Sequence, residues 1–225
     1  MSPNWTGYVV RGGPYVQVSA SWRVANGSSS GPWQGSAQWI GIGGWNTGPL
    51  LQTGTELQAS TNTYACGFLL LDRCSRPTTQ FYAWIEDYPA PSNVIFPVAV
   101  GDTIQADISK APGQGWVVNI YDLNNRRQKN EFEPTFGADQ SSAEWIVEAP
   151  GLPVPVPTGG IYSIAPPPQN LAPTAAVTFM NARAVEGGRT VGPSDGQAVQ
   201  MVKNGLAQAV ALPTGSGSFS VYTRQ

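Results

Sequence analysis

The chain has 225 residues, room for one large β domain or two small ones with a sizeable buried core. Charged residues make up 12% and the formal net charge is −2, so a basic nucleic-acid-binding face is not expected. The apolar runs are too short for a transmembrane helix. Histidine is absent, which excludes Ser–His and Cys–His nucleophile pairs, histidine-ligated zinc and an imidazole acid or base. Hydrolytic chemistry must therefore use carboxyl, amide or hydroxyl groups or the backbone.

Short apolar segments, many of them alternating with polar residues, recur along the chain between turns rich in glycine and proline, and sustained helical periodicity is absent. The predicted strands are residues 5–10, 16–24, 38–42, 50–57, 80–88, 94–100, 103–109, 116–121, 144–148, 177–180, 198–202, 207–212 and 218–222. This pattern predicts an all-β protein, an antiparallel β-sandwich of the jelly-roll, concanavalin-like type. Because the strand set needs the whole chain, we expect one domain over residues 1–225.

A proline-rich stretch at about 149–173 interrupts this pattern. Proline cannot donate to a β-ladder, so the stretch predicts a long loop rather than a central strand. The residues behind it are too few for a comfortable independent core, which argues against a linker between two domains. We expect the loop to lie across the domain.

Cys66 and Cys74 are the only cysteines. No second cysteine pair or histidine exists to complete a four-ligand metal site, so no metal is expected. The pair predicts a disulfide that closes a small loop, with free thiols as the alternative, and a disulfide would imply an oxidising compartment and export. The first residues show no signal-peptide pattern, so the chain is either cytosolic or the mature part of a secreted precursor.

Two strand-like segments place carboxyl groups beside apolar and aromatic residues. Glu144 and Glu148 share one face of a strand with Ile146 between them, and Glu86 shares a face with Tyr82 and Trp84. A carboxyl group among aromatic rings loses hydration, which raises its pKa and suits it to proton transfer in acid. Taken alone, the pattern fits an outward-facing strand glutamate better than a catalytic one.

Gln52 and Trp39 are the other candidates. Gln52 stands at the head of a strand among small residues, and its NH₂ group can donate to a developing oxyanion. Trp39 fits either core packing or the wall of a groove. Without further information, a structural role accounts for both residues.

Motifs in order along most of the chain resemble the glutamic peptidase (eqolisin) family. They are NWTGY at 4–8, VSASW at 18–22, WIGIGG at 39–44 with LQTG at 51–54, YAWIEDYP at 82–89, GDTI at 101–104, AEWIVE at 143–148, VTFMNA at 177–182 and GPSD at 192–195. The resemblance implies a sandwich of two seven-stranded sheets and a secreted, monomeric endopeptidase that works in acid. It implies polypeptide substrates, no cofactor, and no nucleic-acid or membrane partner.

Carried over by motif, Gln52 and Glu144 are the expected catalytic dyad. Trp39 is expected to line the subsites, and Glu86, with Tyr82 and Trp84 beside it, to lie near the dyad in the substrate cleft. Gly43 and Tyr82 differ from the aspartates that other members often carry, so the hydrogen bonds around the dyad are expected to differ.

The mechanism that fits these residues is attack by an activated water without a covalent enzyme intermediate. Glu144 takes a proton from the water and later gives it to the leaving amine, or alternatively begins as the acid. Gln52 helps to hold the water and donates to the oxyanion. Two other functions remain open: a glycoside hydrolase with Glu86 and Glu144 as its carboxyl pair, and a non-catalytic, lectin-like binding module.

Overall fold

A computed structural model describes residues 1–29, 34–46, 48–66, 72–113, 115–133, 137, 140–151 and 170–224. Residues 152–169, most of the predicted proline-rich loop, lie outside the described residues. The strands are β1 (Trp5–Arg11), β2 (Tyr15–Arg23), β3 (Gln34–Gly43), β4 (Leu50–Cys66), β5 (Asp72–Tyr88), β6 (Asn93–Pro97), β7 (Thr103–Ala111), β8 (Gly115–Asp122), β9 (Arg127–Glu133), β10 (Ser142–Glu148), β11 (Asn170–Leu171), β12 (Val177–Glu186), β13 (Arg189–Val191), β14 (Gln197–Val199), β15 (Val202–Lys203), β16 (Leu206–Ala207), β17 (Ala209–Gly215) and β18 (Ser218–Thr223).

Two large sheets form a sandwich. The first has the order β14-β1-β10-β3-β4-β5-β6, with β11 beside β3, and the second has the order β17-β18-β12-β2-β7-β8-β9, with β13 beside β12. Neighbouring strands along both orders are antiparallel. The predicted all-β antiparallel sandwich is therefore confirmed, with one short strand added to each expected set of seven.

The core lies between the inner faces of the two sheets. Alternation with period two places Trp145 of β10, Trp22 of β2 and Phe179 of β12 inside, fully buried. The rings of Phe179 and Phe219 stack with their centroids 5.0 Å apart. Burial of each large side chain contributes about 1.5–3 kcal/mol to stability, so this core fixes which strand faces point outward.

The outer face of the first sheet carries a second apolar cluster, which an ordinary solvated face would not have. Its buried members are Val9, Ala37, Trp39, Leu50, Trp84, Ile146 and Val199. Trp5, Trp45 and Tyr82 pack against them while partly exposed. This face of the first sheet therefore has its own apolar packing and differs from an ordinary solvated sheet face.

Strands β4 and β5 are longer than the sequence predicts, and each has 17 residues. Cys66 ends β4 and pairs with Cys74 of β5 in a disulfide whose Cα atoms are 5.8 Å apart. The predicted disulfide is confirmed, and it joins the far ends of this hairpin. Strand β9 was not predicted because its sequence, RQKNEFE, is polar on both faces.

Gly54 of β4 is expected to tolerate no side chain, since an added Cβ would lie 2.2 Å from the carbonyl oxygen of Gln38 and 2.6 Å from the Cβ of Trp39. We expect Gly54→Ala to lower the free energy of unfolding by about 1–3 kcal/mol or more, as overpacking does. Gly48→Ala is the control, because an added Cβ there meets nothing within 4 Å. Urea denaturation of both variants tests this, and equal stabilities would contradict it.

Candidate active site

The outer face of the first sheet is organised in three rows that cross β10, β3, β4 and β5. Paired residues in an antiparallel sheet point to the same face, so each row can be read from the register. The rows are Glu144–Gly41–Gln52–Glu86, Ile146–Trp39–Gly54–Trp84 and Glu148–Ala37–Glu56–Tyr82. An aromatic and apolar row therefore lies between two rows that carry acids and an amide.

Tryptophan rings form the middle of this surface. Trp39 is fully buried, and the ring of Trp5 meets it edge-on with centroids 4.9 Å apart. Gly54, without a side chain, leaves room between Trp39 and Trp84. Trp39 and Trp84 lie in one row, and their expected place in the substrate cleft stays a prediction.

Gln52 lies among buried groups, with 6% of its surface exposed. Its Nε2 donates to the Glu86 carboxyl, while its Oε1 is buried and has no partner in the described part of the chain. The indole Nε1 of Trp84 is likewise buried without a described acceptor. An unmet acceptor and an unmet donor on the same face are costly unless a water or ligand satisfies them.

Short hydrogen bonds from two other side chains orient Glu148. The indole Nε1 of Trp39 donates to its Oε2 at 2.8 Å, and the amide Nδ2 of Asn4 donates to its Oε1 at 2.7 Å. Both donors come from other strands or segments of the first sheet, so the carboxyl group is fixed in orientation. A fixed, partly exposed carboxyl group among aromatic rings is the arrangement expected of a general acid.

Burial raises the pKa of Glu148 to about 8. Hydrogen bonds from Trp5 and Trp39 oppose this shift, and the negative charges of Glu56 and Glu86 add to it. Glu86 is close enough for its charge to raise the pKa of Glu148. The same Glu86 accepts a hydrogen bond from Gln52. These groups therefore form one electrostatic cluster across the face.

The pKa values of Glu56 and Glu86 are raised as well. Burial raises the pKa of Glu56 to about 7, with a hydrogen bond from Tyr82 opposing and the charge of Glu86 adding. Burial also raises the pKa of Glu86, opposed by the hydrogen bond from Gln52. The ion pairs found among the described residues lie elsewhere, so no described cation offsets these acids. The described residues also contain no group of three or more acids or cysteines arranged to hold a metal ion.

The predicted partner of Gln52, Glu144, lies in the same row, with Gly41 between them. Glu144 is 0% exposed. A Cβ added at Gly41 would lie 2.8 Å from Leu50 Cδ1 and 2.9 Å from Trp39 Cζ3, so apolar side chains fill the space over this glycine. The expected Gln52–Glu144 dyad stays a prediction, and the partly exposed Glu148 on the same face of β10 is a second candidate for the catalytic carboxyl group.

Sequence reasoning thus assigned no role to Glu148, Glu56 and Asn4. The signal for Glu148 was present, since it shares a strand face with Glu144, and both glutamates lie in the AEWIVE motif. Glu56 follows Gln52 by four residues and so shares its face of β4. Asn4 could not be found from local pattern, because its contact with Glu148 joins residues 144 positions apart.

Comparison with known proteins identifies the class of enzyme. The model of the Peptidase A4 family matches residues 3–222, so the chain belongs to this family, the glutamic peptidases or eqolisins, and is a glutamic endopeptidase.

Among individual relatives, aspergillopepsin-2 of Aspergillus niger is 28% identical over 229 residues, which cover 91% of this chain and 72% of that protein. A scytalido-glutamic peptidase solved with a transition-state analogue inhibitor superposes with a TM-score of 0.78 at 21% identity, covering 99% of each chain. SCP-B, an eqolisin solved with the tripeptide Ala-Ile-His, superposes with a TM-score of 0.74 at 21% identity and the same coverage. These structures share the fold. Within the described residues, no helix is long and apolar enough to span a membrane.

The acid cluster predicts a protein that is more stable in acid than at neutral pH. Glu56 and Glu148 hold their protons in the folded state up to about pH 7 and 8, whereas the unfolded chain releases them near pH 4.5. Because the folded state binds more protons between these values, its stability falls as the pH rises from 4.5 to 8. We expect a loss on the order of 8 kcal/mol in the free energy of unfolding, since the two pKa values together rise by about 6 units and each pKa unit is worth about 1.4 kcal/mol.

Urea denaturation at a series of pH values measures this loss. Glu56→Gln together with Glu148→Gln should remove most of the slope. Asp72→Asn, at an exposed acid on β5, is the control and should keep the wild-type profile. A wild-type stability that is flat or rises over this range would contradict the interpretation of the cluster.

Proposed function

We propose that the chain is an acid-acting endopeptidase in which Glu148 and Gln52 hydrolyse peptide bonds without a covalent enzyme intermediate. One observation supports this most directly: the Glu148 carboxyl group is fixed by Trp39 and Asn4, and burial raises its pKa to about 8. Such a group is protonated in acid and can give up its proton to a substrate. The proposal assigns to Glu148 the role that the motif alone assigned to Glu144.

The raised pKa favours a reaction in which Glu148 begins as the acid. Its proton goes to the carbonyl oxygen of the peptide bond while a water attacks the carbonyl carbon, and the resulting carboxylate takes a proton from the added water. Glu148 then gives that proton to the leaving nitrogen, the C–N bond breaks, and the second hydroxyl proton returns to the carboxylate. The products are an acid and an amine, and Glu148 ends protonated.

Gln52 and Trp84 supply the fixed polar groups for these steps. The unmet Oε1 of Gln52 accepts a hydrogen bond from the attacking water, and its Nε2 stays with Glu86. The unmet indole N–H of Trp84 donates to the peptide carbonyl oxygen as negative charge develops there. Glu56 and Glu86, when protonated, keep the face free of negative charge.

The substrate in this proposal is an extended polypeptide lying along the tryptophan row. A cavity of about 280 Å³, lined by residues 1–5, Gly44 and Trp45, lies beside Asn4 and receives an apolar side chain of the substrate.

We also propose that the chain acts as a monomer and is exported. The Cys66–Cys74 disulfide supports export, because such bonds persist in oxidising compartments.

Paired glutamine variants separate the two glutamates of β10. We expect Glu148→Gln to lower kcat by about 10²–10⁴, since it removes the acid and keeps the shape. Glu144→Gln should keep kcat within about tenfold, because Glu144 has no exposed surface to offer a substrate. Cleavage of an unfolded protein at acid pH, with products identified by mass spectrometry, measures both. Circular dichroism confirms folding, and the reverse ranking of two folded variants would restore the Gln52–Glu144 dyad.

The variant Gln52→Ala tests whether the side-chain amide of Gln52 takes part in the reaction. Loss of one positioned polar group at the reacting centre commonly costs about 10²–10³ in kcat, and we expect that loss here with little change in KM. Gln128→Ala on the second sheet, where the side chain is exposed, is the matched control. An unchanged kcat for Gln52→Ala would remove Gln52 from the mechanism.

A further inference from the structure

The outer face of the second sheet contains a polar groove of about 520 Å³. It crosses β12, β2, β7 and β8, on the opposite side of the sandwich from the acid cluster. Two rows of paired side chains line it: Arg183–Ser19–Asp107–Asn119, and Ser21–Gln105–Tyr121. Its volume lies within the range of about 300–1,000 Å³ that is usual for small-molecule sites, although its lining is far more polar.

The shape of the groove follows from side-chain size. Ser19 and Ser21 are short side chains on the central strand β2, and they form the floor. Longer side chains from β12 stand on one side of them, and those of Gln105 and Tyr121 stand on the other. The neighbouring residues of β2 that face inward, such as Ala20, pack in the core between the sheets. This packing holds the strand that forms the floor in place.

A β-bulge in β12 forms one wall. The register with β2 shifts between Met180 and Arg183, and Asn181 has a φ of 53°, in the left-handed region. The bulge brings Asn181 and Arg183 to the edge of the groove, and Arg183 Nε donates to Ser19 Oγ at 3.2 Å. Bulges and left-handed residues of this kind recur at ligand sites, where they re-aim side chains.

Asp107 organises the middle of the groove. Its carboxyl group accepts hydrogen bonds from Gln17 Nε2 at 2.8 Å and from Asn119 Nδ2 at 3.0 Å. Within the described chain, no donor reaches the amide oxygen of either residue, so both oxygens remain available as acceptors. Fixed amide, carboxyl and hydroxyl groups, with one guanidinium, give a dense set of donors and acceptors with no net charge.

We propose that this groove is a second binding site, for a neutral carbohydrate. A sugar presents many hydroxyl groups, each both donor and acceptor, and Tyr121 offers a ring for its apolar face. An anionic ligand would meet the carboxylate of Asp107. An added peptide strand would need a free sheet edge, whereas β2 and β7 are paired on both sides.

The opposite placement of the two faces means that a bound sugar leaves the acid cluster open. Either a free polysaccharide or a glycan on a protein substrate supplies the same hydroxyl chemistry. In both cases the groove holds the enzyme at its target, and loss of the groove leaves cleavage of unglycosylated protein unchanged. The inference therefore does not depend on which glutamate is catalytic.

Calorimetric titration with oligosaccharides of glucose, mannose and N-acetylglucosamine tests the site. We expect at least one to bind the wild-type protein, and Ser21→Trp, which fills the floor, to weaken that binding at least about tenfold. Asp107→Asn keeps the shape but replaces one of the two acceptor oxygens with an NH₂ donor and removes the charge, so it should do the same. Ser75→Trp, at an exposed position on β5, is the control and should bind like wild type.

Two further measurements identify the source of the sugar. Retardation in gels that contain glucan or mannan indicates a polysaccharide. Faster cleavage of a glycoprotein than of its deglycosylated form, lost in Ser21→Trp, indicates a substrate glycan. The proposal is overturned if none of the oligosaccharides binds at millimolar concentration, or if a folded Ser21→Trp variant with normal peptidase activity binds as well as wild type.

Discussion

Three half-buried carboxyl groups share one aromatic sheet face with no described cation beside them, and the proposed chemistry depends on them. Burial of an unpaired charge is costly, so Glu56, Glu86 and Glu148 respond by holding their protons. With these three protons bound, the face is neutral in acid. At higher pH the protons are lost, and the resulting negative charges destabilise the folded state. Stability and the proposed reactivity therefore share one cause, and the cost of charging this face supports the proposed function in acid.

Small residues on β3 and β4 make this arrangement possible. Gly54 leaves the space that Trp39 needs, while Ala37 lies between Glu148 and Glu56 in their row. A Cβ at Gly41 would contact Leu50 and the Trp39 ring, so these side chains lie over the glycine that stands between Gln52 and Glu144 in their row. The alternation of large and small side chains across the strands thus decides which polar groups can meet. A side chain added at one of these positions would change the site without touching any of its polar groups.

Features that depend on neighbouring residues, such as strands and their faces, could be predicted from the sequence. Contacts between residues far apart in the chain could not. Period-two alternation and turn signals predicted most of the long strands, the sandwich and the shared face of Glu144 and Glu148. They could not show that Glu144 is fully buried while Glu148 is partly exposed, because both glutamates pair with strand β3, about a hundred residues away in the chain. The contact of Asn4 with Glu148 was hidden for the same reason. Strand β9 was missed because an edge strand with two polar faces carries no hydrophobic pattern.

The two sheets use their outer faces for different chemistry on one shared core. On the first sheet the outward positions are tryptophans and acids, which lower the local polarity and favour neutral carboxyl groups. On the second sheet the outward positions are serines, amides, one acid (Asp107) and one base (Arg183). These groups stay hydrated and favour a hydroxyl-rich ligand. Because successive residues of a strand face opposite ways, each outer face can change without altering the core beneath it. A sandwich can therefore carry a catalytic surface and a binding surface back to back, with the core keeping them apart.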